Sequence, residues 1–214
     1  MTPRAALGVA IVLATVAAPA VVFGDDDFPD PSGWDGQGYL GVEGSILPYG
    51  NFHLQAAGLG VDSAADTAYG LSVNYGEHIS QYLSIEFAPR ILFHVESSDA
   101  EYDNHELDLR LRVRAGGPLN IKNLRLFAEV TGGYSFVLTP ADEKQDDPRG
   151  FIVGVGAGVS YGIRRKTALT FVVDYQYGFQ GISSNIGDVT ESDSLLELTL
   201  GFITQVRWAD GATE

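Results

Sequence analysis

The sequence predicts an all-β fold, an eight-stranded antiparallel transmembrane up-and-down β-barrel. Three observations predict it. Apolar and polar residues alternate with a period of two through eight separate segments, the pattern of strands with one oily and one polar face. The connections between these segments are alternately short and long, so short turns gather at one end of the barrel and longer loops at the other. The polar parity is charged and rich in glycine, while the apolar parity carries large side chains on nearly every strand.

The N-terminus is a separate object. Met1-Thr2-Pro3-Arg4 is a short cationic lead, and Ala5 to Val16 is an uncharged apolar run. Cleavage after Ala20 or Gly24 then completes a secretory signal peptide over residues 1–24. Loss of Arg4 takes the formal charge from −15 to −16. Residues 25–37 form an acidic lead-in with Asp25, Asp26, Asp27, Asp30 and Asp35, residues 38–208 form the barrel, and residues 209–214 form a short tail. An acidic chain lacks the basic face that nucleic acid requires. With no Cys, disulfides, thiol catalysis, Cys-based metal sites and a lipoprotein anchor are excluded.

The strands follow in order. Tyr39–Leu47 sets Leu40, Val42 and Ile46 against Gly41, Glu43 and Ser45, and Ala68–Gly76 sets Tyr69, Leu71, Val73 and Tyr75 against Gly70, Ser72 and Asn74. Leu83–Glu96 alternates through Pro89, where the missing N–H predicts a bulge. Glu106–Ala115 is the clearest, with Leu107, Leu109, Leu111 and Val113 against Glu106, Asp108, Arg110, Arg112 and Arg114. Leu124–Leu138, Phe151–Ile163, Leu169–Phe179 and Leu195–Trp208 complete the eight. Short turns are expected at Gly76–Gln81, Gly116–Asn123 and Arg164–Thr167, and loops at Pro48–Asp66, Ser97–Asn104, Thr139–Gly150 and Gln180–Ser194. The loops carry Asp62, Asp66, Asp99, Glu101, Asp103, Asp142, Glu143, Asp146, Asp147, Asp188, Glu191 and Asp193 against only Lys144 and Arg149, without the spacing of a calcium loop.

Volume and charge decide which face is outside. An eight-stranded lumen is only just wide enough for its own side chains, so the large apolar parity cannot all point inward. The arginines of the other parity would cost about 2–4 kcal/mol each at a bilayer midplane. The charges therefore face the lumen: Glu43, Glu86, Arg90, Glu106, Asp108, Arg110, Arg112, Arg114, Arg125, Glu129, Asp174, Glu197 and Arg207. Pairing is nearly forced, because an unpaired buried charge is costly. Folding the hairpin about Gly116–Asn123 places Glu129 opposite Arg110 or Arg112, depending on register, and a separate expectation of the same kind sets Glu86 against Arg114. Outward aromatics fall into two interfacial girdles, with Tyr75, Tyr161 and Trp208 at one end and Tyr177 and Phe179, with Phe93, Phe136 and Phe151, at the other.

The last strand ends on an aromatic, Trp208, and with Gly201, Phe202 and Val206 it reads as an assembly signal. In these alternating strands, charged lumen and aromatic close, residues 38–208 resemble the small outer-membrane barrels of the OmpA transmembrane domain and OmpX type. The chain departs from them in the six residues after Trp208 and has no room for a peptidoglycan-binding domain. The resemblance implies a monomer in the Gram-negative outer membrane, among lipid and lipopolysaccharide, inserted by the barrel-assembly machinery, with no cofactor and no metal. It implies a structural or surface-interacting role, with at most a narrow, porin-like pore.

The alternative is a lipid-modifying enzyme, a deacylase or acyltransferase acting on lipid A. Barrel deacylases carry a His-x-Ser pair, and His78-Ile79-Ser80 matches that tripeptide. It is placed in a turn with no acid to orient the histidine, so no catalytic residue is assigned. His94 near Glu96 and His105 beside Glu106 are expected to be rim residues rather than metal ligands, and no nucleophile elbow, P-loop or zinc motif is present.

Overall fold

The computed structural model describes residues 36–56, 59–95, 104–119, 121, 123–138, 149–164, 166–184 and 187–206. The strands are β1 (Gly38–Ala56), β2 (Leu59–Ala64), β3 (Ala68–Ser80), β4 (Leu83–Phe87), β5 (Arg90–Val95), β6 (Asn104–Pro118), β7 (Leu124–Leu138), β8 (Arg149–Arg164), β9 (Thr167–Ser184) and β10 (Gly187–Val206). All pair antiparallel, in chain order, and β1 bonds both β3 and β10, which closes the sheet into a ring. Closure leaves the ring without an open edge, the condition for a sheet to sit in hydrocarbon.

Eight strands close the ring as expected, the third of them divided at Pro89 into β4 and β5, and β2 folds back on the outer end of β1, which brings the sheet to ten. The expected bulge is corrected. Pro89 makes no bulge: Tyr75 faces Phe87 and Ser72 faces Arg90, one unbroken register. Pro89 still accepts hydrogen bonds from Val73 N (3.3 Å) and Ser72 Oγ (2.8 Å), so only its missing N–H interrupts the ladder. The bulge lies at Pro48 instead, where Ile46 faces Leu198 but Tyr49 faces Leu196. One extra residue reverses the parity, so that Tyr39, Glu43, Ser45 and Leu47 point inward before it, and Gly50 and Phe52 after it.

Two expected loops are strands. Pro48–Asp66 is mostly the β1–β2 hairpin, with Asn51 facing Ala64 and Ala56 facing Leu59. Gln180–Ser194 is largely the β9–β10 hairpin, paired out to Gly187 and Ser184. The first short turn tightens to Gln81–Tyr82, so β3 runs on through His78 to Ser80. The second closes at Asn123, whose φ of 65° is the left-handed conformation that asparagine tolerates.

The outward parity is an apolar band: Leu71, Val73, Ile85, Leu111, Val113, Leu126, Val130, Val155, Phe171 and Leu198 are all exposed. An exposed apolar surface so continuous is the opposite of a water-soluble barrel and fits a wall solvated by lipid.

Candidate functional site

Every wall element contributes inward groups, and they stack in layers along the axis. Among the described residues, Glu43, Glu86, Arg90, Glu106, Asp108, Arg110, Arg112, Arg114, Glu129, Asp174 and Glu197 are buried, and Arg125 is half-buried. Arg207 and Trp208 lie outside the described residues.

The layer nearer the short turns is a knot around Arg114. Its guanidinium donates to Glu129 through Nε (2.8 Å), to Glu86 through Nη1 (3.0 Å) and to Glu43 through Nη2 (3.2 Å). Arg112 shares two of those acids, reaching Glu43 at 2.7 Å and Glu86 at 2.5 Å. Glu86 thus meets Arg114 as expected, whereas the Glu129 pairing needs correction. Glu129 faces Arg114 rather than Arg110 or Arg112. The β6–β7 hairpin folds later in the chain, because β6 continues through Gly116, Gly117 and Pro118 and the turn closes at the left-handed Asn123.

The next layer is built on Glu197. It takes Arg90 at 2.7 Å and Arg110 at 3.1 Å, and it accepts from Gln176 Nε2. Arg90 also holds Asp108 through Nε at 2.8 Å and Gln176 Oε1 at 2.9 Å, while Arg110 Nε donates to the Ala88 carbonyl at 3.2 Å. Asp174, opposite Glu197, accepts from Gln176 Nε2 at 3.1 Å. Nearer the loops the arginines run out, and Glu106 accepts from Ser135 Oγ. Above them Leu47, Ala68, Leu92 and Leu195 form an apolar cluster inside the barrel, with Ala65 and Val95 packed on it. Asp193, expected in a loop, belongs to the lumen at 6% exposure because β10 starts earlier than the alternation suggested.

Glycine makes room for this filling. On β8, a Cβ at Gly158 would lie 2.6 Å from Phe127 Cζ and 2.6 Å from the Phe171 carbonyl oxygen, so the Phe127 ring occupies the space a side chain would take. Gly158→Val is expected to lower barrel stability by about 1–3 kcal/mol through overpacking. Urea titration of the heat-modifiable gel band measures this, and an unchanged midpoint would contradict the packing.

His78 is not in an exposed turn. It is buried on β3, stacks on Tyr39 (centroids 4.9 Å apart), and its Nδ1 lies 3.2 Å from Arg125 Nη1. Because arginine only donates, Nδ1 accepts there, and a cation stands where a catalytic base would need a carboxylate. Ser80 Oγ accepts from Tyr82 N at 3.2 Å.

The remaining predicted groups are placed as follows. Tyr75, Tyr161, Tyr177 and Phe179 are exposed on the outer face, and Tyr177 and Phe179 pack edge-on at 4.6 Å. Tyr134, Phe136 and Phe151 continue that ring of contacts at 5.0 and 5.2 Å. Gly201 points inward against Glu43, while Phe202 and Val206 are half-buried. His105 is exposed, and the side chain of His94 lies outside the described set. Of the loop acids, Asp62 is exposed and pairs with His53 at 2.6 Å, and Asp66 is exposed. Asp99, Glu101, Asp103, Asp142, Glu143, Asp146 and Asp147, with the side chains of Asp188 and Glu191, are outside it. No group of metal-ligating side chains occurs among the described residues.

A closed antiparallel ring with an apolar exterior and an ion-paired interior defines an integral outer-membrane barrel. The chain matches the outer membrane protein beta-barrel domain family over residues 7–202 and belongs to it, which places the protein in the cell outer membrane. The fold is similar to the crystal structure of the outer membrane protein OprG from Pseudomonas aeruginosa (TM-score 0.58, 11% identity, 81% of this chain and 97% of that one). It is also similar to the solid-state NMR structure of outer membrane protein AlkL in DMPC lipid bilayers (TM-score 0.59, 12% identity, 90% of this chain and 100% of that one). A comparison with curated proteins returns no match.

Proposed function

We propose that the protein is a non-enzymatic barrel of structural or surface-interacting type, monomeric, whose lumen conducts at most weakly. The observation that carries this reading is the ion-pair network, in which Arg90, Arg110, Arg112 and Arg114 reach across to acids on β1, β4, β6, β7 and β10. The apolar cluster of Leu47, Leu92 and Leu195 above it gives hydrated ions a second obstacle. The Arg125–His78 contact argues against a His-x-Ser catalytic pair. Lipid and lipopolysaccharide around the apolar band, and the barrel-assembly machinery during insertion, are the partners this role entails.

Planar-bilayer recording tests it. The native protein should give no sustained steps of porin size. Truncating one balanced pair, Arg110→Ala with Glu197→Ala, removes filling without changing net charge. It should open discrete cation-selective steps, because buried acids outnumber arginines in the described lumen. Steady conductance in the native protein equal to that of the double variant would defeat the proposal.

A further inference from the structure

The charges outside the lumen differ between the two ends of the barrel. Residues 96–103 and 139–148, which connect strands at the loop end, hold eight acids and the single cation Lys144. Residues 116–123 and 162–169, around the second and third short turns, hold four cations and no acid. These two turns are neighbours on the ring. Gly162 N donates to the Asn123 carbonyl at 2.9 Å, and Leu124 faces Tyr161. Gln205 N donates to the Lys166 carbonyl at 2.8 Å, which joins the third turn to the end of β10. Lys166 is exposed there, and Arg164 ends β8 half-buried. Leu119 and Ile121 are exposed on the second turn, and Tyr161 and Ile163 are exposed on the adjoining outward face. Glu77, an exposed acid at the same end, stands on β3, across the ring from β8.

We propose that this sector of the short-turn end binds the phosphate head groups of anionic phospholipid, of the phosphatidylglycerol class, in the inner leaflet of the membrane. The inference rests on the transmembrane reading, in which short turns lie on the periplasmic side. The exposed apolar and aromatic side chains set the depth. Leu119, Ile121, Tyr161 and Ile163 end at the interface, so Arg164 and Lys166 stand at the level of the phosphates, and their long stems reach them past the apolar edge. Anionic head groups attract such clusters of cations, and zwitterionic ones do not. Lipopolysaccharide offers the same phosphate chemistry, but from the leaflet at the acidic loop end. The acidic residues 25–35 are the competing occupant. They join the barrel away from these cations, past β3, where Gly36 N donates to the His78 carbonyl at 2.6 Å.

The test uses the full chain in phosphatidylcholine vesicles doped with spin-labelled phosphatidylglycerol or spin-labelled phosphatidylcholine. The motionally restricted fraction in the electron paramagnetic resonance spectrum gives the relative affinity of each lipid for the barrel surface. Phosphatidylglycerol should be preferred about two- to fivefold at low salt, the strength of an exposed ion pair. The preference should vanish at about 0.5 M salt, where exposed charges are screened. Arg164→Gln with Lys166→Gln should remove at least about half of it, and Lys144→Gln at the loop end should leave it unchanged. The heat-modifiable gel shift identifies folded variants, and the comparison of lipids and salt in the native protein needs no variant. Absence of any restricted phosphatidylcholine would defeat the transmembrane reading itself. Restricted lipid with equal affinity for the two head groups, or a preference untouched by the double substitution, would overturn this inference alone. A preference that appears only after deletion of residues 25–35 would assign the cations to that segment and overturn it as well.

Discussion

Replacing Arg114 with glutamine is expected to destabilise the folded barrel by about 3–5 kcal/mol, the cost of removing one partner from a buried ionic group. Arg114 is 5% exposed, and its three donors engage Glu129, Glu86 and Glu43 at 2.8, 3.0 and 3.2 Å. Its guanidinium carbon also lies 5.0 Å from the centre of the Phe127 ring. Glutamine keeps much of the volume and removes the charge. Arg112 would remain beside Glu43 and Glu86, but Glu129 would lose the cation facing it in the register. Arg114→Gln combined with Glu129→Gln should therefore recover part of the loss. The exposed His53–Asp62 pair supplies the contrast, at 48% and 86% side-chain exposure. Breaking it by Asp62→Asn should change stability by less than about 1 kcal/mol, since water and salt screen such pairs. Urea unfolding in micelles, read from the fraction of heat-modifiable band, compares the variants. Equal midpoints for Arg114→Gln and Asp62→Asn would mean that the knot does not hold the barrel.

The membrane crossing was legible because period-two alternation is a local signal. Leu107 to Arg114 states its two faces without any knowledge of the neighbours. Register is not local. A shift of the β6–β7 hairpin by two residues keeps every side chain on its own face, so alternation could not distinguish Glu129 facing Arg112 from Glu129 facing Arg114. What decided it was the left-handed Asn123, a single backbone torsion. The parity change at Pro48 was hidden for a similar reason. It lies inside what read as a loop, and only pairing with Leu196 and Leu198 reveals the extra residue. The apolar part of the interior was visible and its meaning was missed. Tyr39, Leu47, Leu92, Phe127, Ile152, Val172 and Ile203 all sit in the charged parity, and all are buried inside the barrel. Leu47 and Leu92 among them belong to the apolar cluster near the loops, and Tyr39 and Ile203 pack together at the short-turn end.

Two valines separate exposure to lipid from exposure to water. Val130 on β7 and Val61 on β2 are 59% and 62% exposed, so area alone predicts equal tolerance of a charge. Their surroundings differ. Val130 faces Val113 and Val155 in the middle of the apolar band, with Leu111 and Phe171 among the exposed residues near its height. Val61 lies on the hairpin strand that pairs only with β1 beyond the bulge, opposite Leu54. A tilted strand crosses the bilayer in about 9–11 residues, and β1 has used that length between Gly38 and Pro48. The β1–β2 hairpin therefore stands in water. Val130→Arg should cost about 2–4 kcal/mol, the depth-dependent penalty at the midplane, while Val61→Arg should stay within about 0.5 kcal/mol. Insertion yield into preformed bilayers and the urea midpoint both report the difference. A tolerated arginine at 130 would mean that the apolar face does not meet lipid, and the inside-out barrel would have to be reconsidered.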